Sequence, residues 1–204
     1  MAVQSSRLVL ASGNRGKVRE IEAMLAGMGL TVLPQSDFDV PAAAEIGLSF
    51  VENAILKARN AAMHTGLPAI ADDSGIEVRA LNGAPGVHSA LYAGAGASDQ
   101  ENLEKLLKAC EAVPEGERAA RFVCVMVYMR HAGDATPLIA QGTWHGGLLR
   151  AAVGENGFGY DPVFFVPEHG CSSAQLPPEV KNRLSHRGQA LRALVALLRA
   201  AEDW

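Results

Sequence analysis

The sequence predicts an α/β protein built on a β-sheet with helices packed against it. Short apolar runs at 8–11 and 68–71 break off into polar, glycine-containing segments, as the strands of such proteins do. Helical patterns, with apolar residues three and four positions apart, alternate with these runs. The run FVCVMVYM at 122–129 is apolar on both faces, which is typical of a strand in the middle of a sheet.

The length of 204 residues predicts one domain spanning residues 1–204, with two lobes as the alternative arrangement, and the 49% hydrophobic content is enough to form a core. Its 3 cysteines lack CxxC spacing, which argues against a zinc site or a disulfide scaffold and favours a reducing cytoplasm. All apolar runs are shorter than the ~20 residues of a membrane span, so we expect no membrane segment. The net charge of −4 argues against nucleic-acid binding. A polyanionic substrate would therefore need local cations and a metal ion.

The first strand, at 8–11, leads into the loop SGNRGK at 12–17 and then into a helix. This arrangement presents backbone N–H groups and a helix N-terminus to an anion. The loop is not a Walker A motif, because only two residues separate Gly13 from Gly16 and a valine follows Lys17. A plain turn with a solvent-facing lysine is the alternative. The apolar positions of the helix are Val18, Ile21, Leu25 and Met28.

The second helix follows a loop that contains Glu45, and the hydroxyl of Ser49 is expected to cap it. Lys57 lies on a polar face of this helix with Asn53 and Asn60. A solvated helix face is the usual interpretation of such residues. The apolar face is predicted to consist of Val51, Ile55, Ala58 and Ala62.

The segment PAIADDSG at 68–75 is the centre of the chain's organisation. Its apolar residues are predicted to form a buried strand that ends at Ala71, with Asp72 and Asp73 at the strand end, where α/β enzymes carry their chemistry. Because successive strand residues point to opposite faces, the two carboxylates are expected to have different surroundings. A solvated turn is the alternative, since Asp-Ser-Gly is common in turns.

The remaining elements are predicted by the same rules. A third helix begins at Asp99, and Gly146-Gly147 is expected to bend the chain. Arg187, in the first turn of the last helix, opposes the helix dipole, so a bound anion or base would explain it. A solvent-facing side chain is the alternative. Further strands are predicted at 31–33, 138–144 and 163–166, an exposed loop at 157–162, a loop at 170–178, and the last helix after Ser185.

Several segments, taken in order, resemble the Ham1/RdgB family of inosine triphosphate pyrophosphatases. The resemblance extends from Leu8 to Leu198, and the ordered set is specific although each segment alone is a weak signal. The segments are LVLASGNRGK, ENAILKA, PAIADDSG, GAPGV, GFGYDP and LSHRG.

This resemblance implies an elongated mixed β-sheet flanked by helices, in two lobes with a central cleft, as one ITPase-like domain. It implies a cytoplasmic enzyme, usually a homodimer, that hydrolyses ITP, dITP and XTP to the monophosphate and pyrophosphate. The implied cofactor is Mg²⁺ and the implied substrate is a purine nucleoside triphosphate. Such an enzyme keeps deaminated purines out of nucleic acid.

By the same resemblance, Asp73 is the base that activates the attacking water and also a ligand of magnesium, and Glu45 is the other metal carboxylate. Mg²⁺ takes hard oxygen ligands, typically one or two carboxylates together with substrate phosphates. The residues implied to bind the phosphates and the adjoining part of the substrate are Ser12, Gly13, Asn14, Arg15, Gly16, Lys17, Lys57 and Ser74.

The resemblance assigns the nucleoside to a second set of residues. Phe158 is implied to stack on the purine, and His186 and Arg187 are implied to donate hydrogen bonds to a base oxygen. Adenine carries a donor at position 6, so these donors would reject it. Guanine shares the 6-oxo group, and these residues do not explain its exclusion. The full set is Phe158, Gly159, Tyr160, Asp161, Lys181, His186 and Arg187.

The chain departs from the family pattern near two of these segments. Leu91 stands where arginine is usual, and His88 stands where tyrosine is usual. Ala44 precedes Glu45 where bacterial members often have two acidic residues. The metal assignment of Glu45 is therefore the weakest of the set.

Two other functions compete with this interpretation. A pyrophosphatase for other altered nucleotides, of the related Maf type, is disfavoured by the segments GFGYDP and SHRG. A nucleotide-binding regulatory module is disfavoured by Asp72, Asp73 and Lys17, since binding alone needs no base. A purely structural protein is disfavoured most, because many polar groups lie at predicted element ends.

Overall fold

The computed structural model describes residues 6–25 and 30–201 and confirms the α/β class. Met28, predicted on the first helix, lies outside the described residues. Among those residues, no helix has the length and apolar character needed to cross a membrane. The strands are β1 (Ser6–Leu10), β2 (Leu30–Pro34), β3 (Ala69–Val78), β4 (Ala119–Met129), β5 (Leu138–Leu148), β6 (Phe164–Val166) and β7 (Cys171–Ser172). The helices are α1 (Arg15–Leu25), α2 (Phe50–Thr65), α3 (Asp99–Ala109), α4 (Pro178–Leu184) and α5 (His186–Ala200).

The strands form one mixed sheet of 7 strands in the order β2-β1-β3-β4-β5-β6-β7. β1 pairs in parallel with β2 and with β3, whereas β6 pairs antiparallel with β5 and with β7. β4 occupies the middle position and is buried over most of its length, which confirms the prediction from its apolar residues. The elongated shape and the central cleft stay predictions.

The chain divides into two compact units. The first contains the chain up to Asp73, Cys124–Gly142 and the chain from Arg187 onward, and the second contains Ser74–Val123 and Thr143–His186. β3 therefore contributes Asp73 to the first unit and Ser74 to the second. Each unit has its own cluster of buried apolar side chains.

In the first unit, α1 and α5 cover one face of the sheet. Ile21 of α1 and Leu194 of α5 are fully buried in one cluster with Leu8 and Leu10 of β1. Val9 points to the other face by strand alternation and is also fully buried, and α2 packs against β1. Lys17 on α1, Lys57 on α2 and Asp73 on β3 therefore lie on elements held by a packed core.

In the second unit, the cluster joins α3 to the strand ends that lie in this unit. Leu106 of α3 is fully buried, and so is Phe164 of β6. The Trp144 and Phe122 rings lie 5.0 and 4.6 Å from that of Phe164. Aromatic pairs at such distances contribute to stability beyond the area that they bury.

The structure corrects the prediction for two strands. β3 does not end at Ala71 but continues to Val78, so Asp72 and Asp73 lie inside the sheet and not beyond it. β5 likewise runs through Gly146 to Leu148 without the predicted bend. An added Cβ at Gly146 would collide with the carbonyl oxygen of Phe165, so this glycine permits the close approach of β6.

The inward face of α2 also differs from the prediction. Ser49 caps the helix by accepting a hydrogen bond from the N–H of Glu52, as predicted. Val51 and Ile55 are only half-buried, however, because the helix rests on the sheet through its smaller side chains. The buried positions of α2 are Phe50, Asn53, Ala54, Ala58, Ala61 and Ala62.

The loop predicted at 170–178 contains regular structure. β7 lies within it, a short 3₁₀ helix spans Ser173–Gln175, and α4 begins at Pro178. Proline is favoured at the first position of a helix because its missing N–H has no partner there in any case. The Pro177-Pro178 pair was therefore an available sign of α4, which carries Lys181.

Candidate active site

Asp72 and Asp73 are neighbours in β3 and have different surroundings, as predicted. The side chain of Asp72 is fully buried, and its Oδ2 lies 3.2 Å from Lys17 Nζ and 3.4 Å from Arg187 Nη2. Asp73 Oδ1 lies 2.8 Å from Lys57 Nζ. The strand thus presents one carboxylate to the glycine-rich loop and the other to α2.

The surroundings of Asp72 keep it ionised. Burial would raise the pKa of Asp72, but the charges of Lys17, Arg187 and Lys57 outweigh burial and lower it. The Cys124 Sγ atom lies 4.0 Å from Asp72 Oδ2, and burial together with the charge of Asp72 raises the pKa of the Cys124 thiol to about 12. Asp72 is therefore a fixed counter-ion, and it is poorly suited to accept a proton near neutral pH.

The surroundings of Asp73 have the opposite effect. Burial raises the pKa of Asp73, and Lys57 and Lys17 offset this only in part. Its second oxygen, Oδ2, lies 3.4 Å from the side-chain nitrogen of Asn53. A carboxylate with a raised pKa is a better proton acceptor than an ordinary one, so Asp73 is the stronger candidate for a general base.

Glu45 lies next to Asp73 because both contact Lys57. The Lys57 ammonium group is 3.1 Å from Glu45 Oε2 and 2.8 Å from Asp73 Oδ1. Burial would lower the pKa of Lys57, but Asp73, Asp72 and Glu45 together raise it, so the group stays charged. The solvated helix face is therefore the wrong interpretation of Lys57.

The two carboxylates fit a magnesium ion by the chemistry of their donors. Both offer hard oxygen ligands, and the Glu45 side chain is half exposed. Within residues 6–25 and 30–201, no group of three or more His, Cys, Asp or Glu side chains is placed to hold a metal. A site of two carboxylates completed by water and substrate phosphate is a usual form of Mg²⁺ binding.

The loop at 12–17 is organised by Asn14. Its Oδ1 accepts hydrogen bonds from the N–H groups of Gly16 at 2.9 Å and Lys17 at 3.1 Å, which begins α1. The Asn14 N–H donates to Ser12 Oγ at 3.2 Å. The loop is exposed or half-buried, so the predicted strand, loop and helix are confirmed, and phosphate binding by the loop stays a prediction.

In the second unit, Asp161 organises the loop at 157–161. Its Oδ2 lies 2.5 Å from Lys181 Nζ and accepts a hydrogen bond from the Phe158 N–H at 2.8 Å. Its Oδ1 accepts one from Ser173 Oγ at 2.8 Å. Lys181 also lies 5.2 Å from the centre of the half-buried Phe158 ring, a cation–π distance. The structure thus brings together Phe158, Asp161 and Lys181 of the predicted nucleoside set.

Other members of that set are held in the second unit by different contacts. Tyr160, predicted in an exposed loop, is buried and donates its hydroxyl hydrogen bond to the carbonyl of Ser89 at 2.8 Å. The Gly159 N–H donates to Asp99 Oδ2 at 2.9 Å. His186 stacks on Phe122, with ring centres 4.6 Å apart.

Arg187 belongs to the first unit and has internal partners. It is 2% exposed, and it lies 2.5 Å from Glu20 Oε2 as well as 3.4 Å from Asp72 Oδ2. A solvent-facing side chain is therefore the wrong interpretation, since the chain's own carboxylates offset the unfavourable helix dipole. Glu20, Ser173 and Asn53 were missed as site residues. Only Asn53 lies in a recognised segment, and its burial could have been inferred from the period of the alanines on α2.

Comparison with known proteins shows the family to which the chain belongs. The model of the Ham1 family matches residues 8–197. A dITP/XTP pyrophosphatase of Vibrio parahaemolyticus is 62% identical over 194 residues, which are 95% of this chain and 97% of the relative. A dITP/XTP pyrophosphatase of Methylococcus capsulatus is 58% identical over 194 residues, with 95% and 96% covered. A solved HAM1 protein of Coxiella burnetii superposes with a TM-score of 0.88 at 49% identity, covering 96% of this chain and 100% of that one.

Proposed function

The chain belongs to the Ham1 family, and on that premise we propose that it hydrolyses ITP, dITP and XTP to the nucleoside monophosphate and pyrophosphate. Relatives at 62% and 58% identity that bear the name dITP/XTP pyrophosphatase support this assignment. The observation that carries it is the pairing of Asp73, a buried carboxylate with a raised pKa, with the Lys57 ammonium at 2.8 Å and Glu45 beside it. Such a group combines a base with a local cation.

The residues of the first unit bind the triphosphate and activate water. The backbone of 12–17 and the ammonium groups of Lys17 and Lys57 attract the phosphates, since the chain's net charge of −4 gives no general attraction. Asp73 accepts the proton of the water that breaks the bond between the α- and β-phosphates. Bound Mg²⁺ on Asp73 and Glu45 would neutralise charge on the phosphate oxygens.

The family resemblance supports a nucleoside-binding role for Phe158, His186 and Arg187. Phe158 offers a ring face for stacking, and Asp161 fixes the backbone beside it through the Phe158 N–H at 2.8 Å. Arg187 and His186 donate hydrogen bonds to the 6-oxo group of hypoxanthine or xanthine. Adenine presents a donor at that position and leaves these groups unpaired, which disfavours ATP strongly. The enzyme acts in the cytoplasm as a homodimer.

Product analysis tests the proposal. ITP, dITP, XTP, GTP and ATP are each incubated with the protein and Mg²⁺, and nucleotides and phosphates are separated by ion exchange. We expect IMP and pyrophosphate from ITP, little product from ATP, and a loss of at least about 100-fold in kcat for Asp73→Asn. IDP and orthophosphate would contradict the assigned position of attack. Full activity of Asp73→Asn would contradict the role of Asp73, and no product from any nucleotide would favour a regulatory binding module.

A further inference from the structure

We propose that Asn53 is a positioning residue that sets the separation of Asp73 and Glu45 for the metal ion. The proposal rests on the function proposed above, because it takes these carboxylates as the metal ligands. Asn53 is 3% exposed and lies one helical turn before Lys57 on α2. It contacts both elements that bear the carboxylates.

The first contact holds the loop that carries Glu45. Asn53 Oδ1 accepts a hydrogen bond from the Gly47 N–H at 2.8 Å, and Asn53 Nδ2 lies 3.4 Å from the Gly47 carbonyl oxygen. Gly47 is two residues after Glu45. An added Cβ at Gly47 would lie 2.5 Å from Glu52 Cβ and 2.8 Å from Asn53 Oδ1, so the loop approaches α2 closely only with glycine here.

The second contact holds Asp73. Asn53 Nδ2 lies 3.4 Å from Asp73 Oδ2, while Lys57 occupies Oδ1. Each oxygen of the Asp73 carboxylate thus has a donor from α2. The contact with Asp73 needs a donor and the Gly47 N–H needs an acceptor, and a side-chain amide supplies both. Asn53→Asp would keep an acceptor for the Gly47 N–H and place a like charge beside Asp73.

The chain offers a matched control in Asn60, on the same helix. Asn60 Nδ2 donates to the carbonyl of Pro41 at 2.7 Å, in the same loop but four residues before Glu45. Replacing Asn60 loosens the attachment of this loop to α2, whereas replacing Asn53 also removes a donor to Asp73. A general effect of loop attachment would appear in both variants.

The test measures binding of Mn²⁺, a hard cation that substitutes for Mg²⁺ at oxygen sites, from the electron paramagnetic resonance signal of the free ion. We expect Asn53→Ala to raise the Mn²⁺ dissociation constant by about 10- to 100-fold, as loss of groups that orient metal ligands does, and Asn53→Asp, which loses the same donor, to shift it by a similar factor. Asn60→Ala is expected to stay within about threefold of wild type. Gly47→Ala, whose added Cβ would press on Glu52 Cβ and Asn53 Oδ1, displaces the loop from its Asn53 contact and is also expected to weaken Mn²⁺ binding.

Several outcomes overturn the proposal. The first is that Asn53→Ala is folded, as judged by circular dichroism, and binds Mn²⁺ as tightly as Asn60→Ala does. If Asn53→Ala does not fold, Asn53→Asp and Gly47→Ala are compared with Asn60→Ala in the same way. If the wild-type protein binds Mn²⁺ no more tightly than Asp73→Asn does, that result contradicts the metal site of the proposed function instead. In that case, kcat for ITP is compared between the Asn53 variants and Asn60→Ala. Equal values would refute a positioning role for Asn53.

Discussion

At the scale of single residues, two adjacent carboxylates in one strand have pKa values shifted in opposite directions. Asp72 lies among three cations that lower its pKa, whereas burial raises the pKa of Asp73. The sequence predicted different surroundings from strand alternation alone. It did not predict which cation pairs with which carboxylate, since Lys17, Lys57 and Arg187 come from three separate helices or helix starts.

The pH dependence of turnover tests the electrostatic role of Lys57. Its charge lowers the pKa of Asp73 against the effect of burial, so Lys57→Met should raise that pKa further. With Asp73 proposed to act as the base in its ionised form, the acidic limb of the kcat profile for ITP should move to higher pH. Lys108→Met, on the exposed face of α3, serves as the control and should leave the limb in place. An unchanged limb in Lys57→Met would show that Asp73 does not control it.

Arg187 is expected to contribute to folding and to base choice by separable means. Arg187→Lys keeps a cation for Glu20 and Asp72 but loses the planar pair of donors. We therefore expect a thermal midpoint close to that of wild type and a loss of about tenfold in the ratio of kcat/KM for ITP over ATP. Arg187→Ala should lower the midpoint as well, because it leaves a buried carboxylate with fewer partners. If Arg187→Lys keeps the wild-type ratio of kcat/KM for ITP over ATP, Arg187 does not recognise the base.

At the scale of elements, periodicity identified most strands and helices but placed some ends wrongly. The apolar run to Ala71 suggested a strand end, because charged side chains inside a central strand are rare unless they are paired. The pairing ions come from residues distant in sequence, so local composition could not reveal that β3 continues to Val78. In α2, alanines rather than Val51 and Ile55 face the sheet, and pattern alone does not distinguish a close approach of helix and sheet from a looser one.

Gly75 tests the continuation of β3 through the second unit. An added Cβ there would collide with the Gly86 carbonyl oxygen and the Ser89 Oγ, so Gly75→Ala should lower the free energy of unfolding by about 1–3 kcal/mol. Gly116→Ala, where an added Cβ meets no atom within 4 Å, should change it by less than about 0.5 kcal/mol. Urea unfolding followed by fluorescence measures both. Equal free energies of unfolding in the two variants would mean that the atoms around Gly75 move to accommodate the added methyl group without loss of stability.

At the scale of the whole molecule, family membership and fold agree over nearly the entire chain. The sheet order, the two units with their own cores and the match to residues 8–197 all describe one α/β protein. The sequence predicted the class from its apolar runs and helical periodicity, and the family from ordered segments. The division at Asp73–Ser74 was not predictable, because both residues lie in one uninterrupted strand.

The overall charge makes a prediction at this scale. With a net charge of −4, the molecule should bind phosphates only where lysines are placed locally. We expect fluorescence anisotropy to detect no binding of duplex DNA at 150 mM salt (a condition that weakens non-specific binding), while ITP still binds. Affinity for DNA comparable to that for ITP would contradict a site specialised for a free nucleotide.

The burial of Cys124 beside Asp72 has a practical consequence for covalent labelling. Alkylating reagents attack the thiolate, and a thiol with a pKa of about 12 is almost entirely protonated at neutral pH. Burial also raises the pKa of the buried Cys110 thiol, whereas Cys171 is half-buried at the start of β7. A maleimide dye should therefore attach first at Cys171, which gives a fluorescent reporter in the second unit without engineered cysteines.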